Sequence, residues 1–182
     1  VYAPKNESVP AVTHPLSEDD QIDIDKLQIS FQVLDIPGHT AGHIAYYDGR
    51  HLFCGDTLFA AGCGKLFEGT AAQMVDSLQK LARLSPDTLV YCAHEYTEKN
   101  LQFAAAVEPD NQAIHQRLEL VRRLRKHLEP SLPSTLEEEL KTNPFLRCGE
   151  PDVIHAAQQY AGRKLSTAVD VFAALRAWKD RF

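Results

Sequence analysis

Three side chains able to ligate a metal ion, His39, Asp56 and His94, each follow an apolar run: Val33-Leu-Asp-Ile36 with Pro37-Gly38 behind it, Leu52-Phe-Cys54, and Leu89-Val-Tyr-Cys92. Loops at strand ends, carried on a rigid sheet, are where functional side chains gather. Imidazole nitrogen and carboxylate oxygen suit zinc, iron or manganese, and a metal held this way lowers the pKa of a bound water toward neutrality. Asp56 has two oxygens and could bridge a pair of ions, although two ions would need more donors than these three. Taken singly, an Asp after Cys-Gly is more often a cap or turn residue, and a His at a strand end more often a hydrogen-bonded structural one. Spacing alone leaves both readings open. His39 and His43 stand i, i+4, which on a helix would make a two-His face, but Pro37, Gly38 and Gly42 argue against a helix there. His14, His51, His115, His127 and His155 lie in polar or helical surface contexts and carry no expected role.

The elements that must position these residues follow from periodicity. Residues 5–25 are polar, contain Pro and are acidic at Ser17-Glu-Asp-Asp20, so they read as an irregular surface segment. From Lys26 alternation sets in, with Leu27, Ile29, Phe31 and Val33 on one side, predicting a strand or hairpin closed by Pro37-Gly38. Ile44–Tyr47 and Leu52–Cys54 flank Asp48-Gly49, a two-residue hairpin signal. After Asp56 comes a loop containing Gly62, Gly64 and Gly69. Thr70 then caps an amphipathic helix reaching about Leu84, with Met74, Leu78 and Leu81 inward. Thr88–Cys92 is an apolar stretch without alternation, which predicts a central strand.

Beyond Tyr96 the pattern becomes helical. Residues 98–128 carry Leu118, Val121, Leu124 and Leu128 on one face, Ser134-Thr-Leu-Glu137 resembles a capping box, and 152–161 and 167–178 predict two more helices. The expected division is 1–97, mixed α and β, and 98–182, all helical.

At 182 residues with 44% apolar content and a net charge of −6, the chain can bury a core and gives no electrostatic reason to expect nucleic acid or anionic membrane as partners. No apolar run approaches the roughly 20 residues that cross a bilayer. Val1-Tyr-Ala-Pro-Lys5 shows no basic segment followed by an apolar one and reads like the tail of a strand, so the natural chain is expected to start earlier. Four Cys without a Cys-x-x-Cys pair predict reduced, mostly buried thiols in a cytoplasmic protein.

Four dense motifs then carry a resemblance. Pro37-Gly-His-Thr-Ala-Gly-His43, Leu52-Phe-Cys-Gly-Asp-Thr-Leu-Phe59, Gly62-Cys-Gly-Lys-Leu-Phe-Glu-Gly-Thr70 and Cys92-Ala-His-Glu-Tyr-Thr97, in that order, resemble glyoxalase II, the hydroxyacylglutathione hydrolase family of the metallo-β-lactamase superfamily. Asn143-Pro-Phe-Leu-Arg147 and Leu175-Arg-Ala-Trp-Lys-Asp-Arg-Phe182 are similar to that family's helical tail. The resemblance implies an α+β fold: part of an αβ/βα sandwich followed by a helical substrate-binding domain. It implies hydrolysis of S-lactoylglutathione to glutathione and D-lactate at two divalent ions, zinc foremost with iron or manganese as alternatives. It implies that His39 binds one ion and His94 the other while Asp56 bridges them. Lys65, Phe67 and Tyr96 would contact the glutathione moiety, with Phe67 standing where some members have Tyr. Arg176 and Lys179 match the basic pair that receives a glutathione carboxylate. The partner implied is this small molecule alone, for a monomer without membrane or nucleic acid.

One motif is absent. The family's Thr-His-x-His-x-Asp-His, which supplies further ligands to each ion, should lie upstream of Val1, and Thr13-His14-Pro15 lacks the rest of it. The chain is therefore expected to be an N-terminally truncated member with impaired activity and with apolar surface exposed where the missing sheet would lie. The competing reading is a non-catalytic glutathione-binding or assembly module that has lost its metals. The helical tail ending in Arg176 and Lys179 disfavours a lactonase or a sulfur dioxygenase.

Overall fold

The alternation that starts at Ile29 organises a six-stranded sheet, described with the rest of residues 1–182 by a computed structural model. In chain order the elements are β1 (Tyr2–Pro4), β2 (His14–Leu16), β3 (Gln21–Ile24), β4 (Ile29–Asp35), β5 (Ile44–Tyr47), β6 (His51–Gly55), β7 (Leu58–Phe59), β8 (Gly62–Cys63), α1 (Ala71–Ala82), β9 (Leu89–Cys92), α2 (Thr97–Val107), α3 (Gln112–Lys126), β10 (Ser134–Thr135), α4 (Leu136–Thr142), α5 (Pro151–Ala161) and α6 (Ala168–Lys179). The large sheet runs β10-β9-β6-β5-β4-β3; β6 pairs parallel with β9 and the other neighbours pair antiparallel.

Because side chains alternate across a strand, the sheet has two unlike faces. Leu34, Ala45, Leu52, Cys54 and Val90 point to one side, where Met74, Leu78 and Leu81 of α1 meet them, and the same apolar cluster continues through Phe103, Leu136 and Phe172 into the helices. The 98–182 segment therefore shares its core with the sheet. Phe31, Tyr46, Phe53 and Tyr91 point to the other side and form an edge-to-face and stacked aromatic row. There Tyr2, Ile24 and Phe53 are exposed, so the expected open apolar face is present.

Several elements depart from the sequence reading. Residues 5–25 are not wholly irregular: β2 pairs with β1, and β3 joins the sheet edge through Ile22↔Phe31. The β5–β6 turn has Gly49-Arg50 at its centre, not Asp48-Gly49, with Gly49 at φ +93°. Asp48 instead closes the hairpin, its Oδ1 accepting from the amides of Arg50 and His51.

Residues 98–128 form two helices, because Pro109 has no amide to donate and disfavours helical geometry at Glu108; Asn111 recaps the second one by accepting from Ala113 N–H. Leu128, expected on the inner face, is 86% exposed past the end of α3 at φ +61°. The cap of α4 is Thr135, which accepts from Glu138 N–H, and Ser134–Thr135 adds a strand to the supposedly all-helical part. The Thr70 helix is as expected, with Gln73 completing its capping box.

The two faces give a direct test. Leu52, fully buried, and Phe53, 41% exposed, are neighbours on opposite sides of β6. Leu52→Ala should cost about 2–5 kcal/mol of unfolding free energy, and Phe53→Ser no more than about 1 kcal/mol. Urea denaturation showing equal losses would contradict this sidedness.

Candidate metal centre and its rim

Three strands that run in one direction deliver the three candidate ligands. β4, β6 and β9 all finish at the same end of the sheet, and His39, Asp56 and His94 lie just beyond them. Asp56 is central. Its Oδ2 lies 3.8 Å from His39 Nε2 and its Oδ1 3.4 Å from His94 Nε2. Each imidazole thus faces a different oxygen of one carboxylate, beyond good hydrogen-bonding distance. No group of three or more His, Cys, Asp or Glu side chains closes on a single point to hold an ion.

The imidazoles are oriented from behind. His39 Nδ1 lies 2.8 Å from the Lys65 carbonyl, which can only accept, so Nδ1 donates to it and Nε2 is the nitrogen that faces Asp56. A backbone carbonyl holding the far nitrogen of a histidine is the arrangement that fixes metal-ligating imidazoles. His94 stacks on Tyr96 at 5.1 Å between centroids.

A fourth residue, which the sequence reading set aside, completes the frame. The Asp56 amide donates to His43 Nε2 at 3.1 Å. Burial, and then the nearby His39, lower the pKa of His43 and keep it neutral, as an acceptor must be. The available signal was its place immediately before β5, beside the end of β6, and not its spacing from His39. Gly55 makes the approach possible: it sits at φ +53°, and a Cβ there would run into the His43 ring.

The expected substrate contacts fall into two groups. Lys65, Phe67 and Tyr96 are exposed around the centre, with Phe67 4.9 Å from the His39 ring. Arg176 and Lys179 lie behind them at the end of α6. Arg176 is only 8% exposed, and its guanidinium donates to the Cys63 carbonyl at 3.0 Å and to Asp180 at 3.1 Å, while its Nε has no partner. Lys179 donates to the Lys99 carbonyl at 3.2 Å and lies 5.0 Å from the centroid of Phe103. Burial, followed by repulsion from Arg176, pushes its pKa down to about 8. Asp180 links the groups, since it also lies 3.7 Å from Lys65 Nζ. A hollow of about 420 Å³ bordered by Glu108, Asp152, Tyr160 and Trp178 includes none of these residues.

Residues 2–94 match the metallo-beta-lactamase superfamily model, and residues 95–182 match the model of the hydroxyacylglutathione hydrolase C-terminus. The hydroxyacylglutathione hydrolase of Nitrosomonas eutropha is 56% identical over the whole chain, which covers 71% of that protein, and that of Pseudomonas fluorescens is 53% identical with the same coverage. The chain belongs to the hydroxyacylglutathione hydrolase family. Among solved structures, ETHE1 from Myxococcus xanthus superposes with a TM-score of 0.59 at 24% identity, covering 98% of this chain and 64% of that one. A metallo-beta-lactamase from Staphylococcus aureus gives a TM-score of 0.54 at 19% identity, covering 95% and 45%. These likenesses are of fold. Membership in the hydroxyacylglutathione hydrolase family implies binding of divalent metal, and the donor set fits it: two neutral-capable imidazoles, one with its far nitrogen already engaged, on either side of a carboxylate.

Gly55→Ala tests the frame. Forcing a side chain into the left-handed conformation against His43 should cost about 2 kcal/mol, read from chemical denaturation. An unchanged midpoint would mean that His43 does not constrain this turn.

Proposed function

We propose that this chain serves hydrolysis of S-(2-hydroxyacyl)glutathione, S-lactoylglutathione in particular, to glutathione and D-lactate. The observation that carries the proposal is the placement of His39 and His94 on opposite oxygens of Asp56. His39 and Asp56 would hold one divalent ion, Asp56 and His94 a second, with zinc foremost and iron or manganese served by the same donors. When bound, such ions supply Lewis acidity that brings water ionisation toward neutral pH. In the reaction water oxygen bonds to the acyl carbon, the carbon–sulfur bond breaks, and glutathione leaves as a thiolate that takes up a proton.

The remaining roles belong to the chain's own side chains. Phe67 and Tyr96 lie against the His39 and His94 rings and would shield the reacting thioester from bulk solvent. Phe67 has no hydroxyl, which leaves Tyr96 as the phenol donor of this pair. Lys65, exposed, would pair with a glutathione carboxylate, as would Lys179. Arg176, committed to Cys63 and Asp180, would act by holding the end of α6 in place. Residues 1–97 would supply the metal side and 98–182 the glutathione side, in a cytoplasmic monomer whose four thiols stay reduced.

The second reading, a glutathione-binding module without catalysis, draws on the lack of any closed three-ligand group. Metal analysis separates the two. Two protein donors per ion fall short of the three that hold a catalytic zinc, so the purified 182-residue chain should bind zinc weakly and hydrolyse S-lactoylglutathione little or not at all. Robust zinc-dependent turnover by this chain would overturn that expectation.

Glutathione binding carries a pH signature. Lys179 is charged below its lowered pKa of about 8 and neutral above it, so its attraction for a carboxylate is present below that pH and lost above it. Affinity for an S-alkylglutathione, measured by calorimetry, should therefore fall as pH rises through about 8, and Lys179→Met should flatten the profile. Identical profiles for the two proteins would remove Lys179 from the binding surface.

A further inference from the structure

Between Asp56 and Lys65 the chain makes a small hairpin, β7 to β8, with Phe59 opposite Gly62 and Ala60-Ala61 at its tip. Ala61 takes φ +53°, a conformation uncommon for a residue with a Cβ. The tip's backbone is gripped by side chains from the helical part of the chain. The Ala61 amide donates to Glu139 Oε2 at 2.7 Å, and the Ala60 carbonyl accepts from Asn100 at 3.0 Å. Asn143 donates to the carbonyls of Phe59 and Gly62 at 3.2 and 2.9 Å.

Glu139 is fully buried and is paired with Arg117, itself buried, at 2.5 Å. A buried ion pair of this kind contributes little net stability, and apolar residues of similar volume often serve a fold as well or better. What an apolar pair could not supply is an acceptor for the Ala61 amide.

The ends of the gripped hairpin are functional. Asp56 enters it, and Lys65, whose carbonyl orients His39, leaves it. The Gly64 amide donates back to the Thr57 carbonyl, tying the two ends together. We propose that Glu139, supported by Arg117, Asn143 and Asn100, is a positioning residue for the metal centre: it fixes the hairpin tip, and with it the relative placement of Asp56 and His39. This rests on the reading of His39, Asp56 and His94 as that centre.

The test pairs two double variants of the full 182-residue chain. Arg117→Met with Glu139→Leu keeps the site filled but leaves the Ala61 amide without an acceptor. Arg117→Gln with Glu139→Gln removes the charges and retains one. Hydrogen exchange of the amides of residues 58–64 should be at least about tenfold faster in the apolar variant, and its zinc affinity by chelator competition about tenfold weaker. The amide variant should restore both to within about threefold of the unaltered chain. Exchange and zinc affinity that match the unaltered chain in the apolar variant would overturn the proposal. Should the apolar variant not fold, Asn100→Ala, which removes only the bond to Ala60, decides in its place: faster exchange at residues 60–62 supports the clamp and unchanged exchange overturns it. If the unaltered chain takes up no zinc, the assignment of the centre fails, and the exchange comparison alone still decides whether the clamp holds the hairpin.

Discussion

The candidate site depends on strand direction. β4 and β6 flank an antiparallel β5 and so run the same way, and β9 pairs parallel with β6, so that Gly55 stands opposite Cys92. All three strands leave the sheet at one end, and their next residues converge. Had β9 paired antiparallel, His94 would have emerged at the opposite end of the sheet. Parallel pairing requires a crossover, and α1 provides it, packed by Met74, Leu78 and Leu81 against the face that holds Leu52 and Val90. The apolar stripe of that helix is therefore a condition for bringing the imidazoles and the carboxylate together.

The electrostatics of the site are graded by depth. Close to Asp56 the groups are half-open, with side-chain exposures of 15% for His39, 27% for Asp56 and 52% for His94. Further back, charges are spent on the fold. Arg147 makes a two-pronged pair with Glu108, Arg117 pairs with both Glu138 and Glu139, and Arg176 makes a single contact with Asp180. Lys179 stands between these regimes. It lies against the Phe103 and Phe182 rings and has no carboxylate partner, so burial, followed by repulsion from Arg176, lowers its pKa.

The thiols follow the same logic. Cys63 and Cys148 are buried, and loss of solvation raises their pKa values to about 11 and about 12, which leaves them protonated and inert as nucleophiles at neutral pH. Cys63 still matters, through its backbone carbonyl, which receives Arg176 and joins the last helix to the hairpin beside Asp56.

What the amino-acid sequence determined alone is what acts over short range. The reciprocal Thr70–Gln73 cap, the helix opening at Thr167, the alternation of Ile29–Asp35 and the delivery of His39, Asp56 and His94 at strand ends were all legible, because capping and side-chain period involve neighbours within a turn or two. The break at Pro109 was equally local and was there to be read; the periodicity of Leu118 and Val121 masked it. Only the tertiary structure decided that Arg176 faces inward to Cys63 while Lys65 stays exposed, that His43 receives the Asp56 amide, that Ser134–Thr135 extends the sheet, and that Glu139 reaches Ala61 across 78 positions of chain. Those contacts depend on which surfaces meet when the helices close over the sheet. A buried charge or a free amide is given its partner by that packing, and no local pattern carries the information.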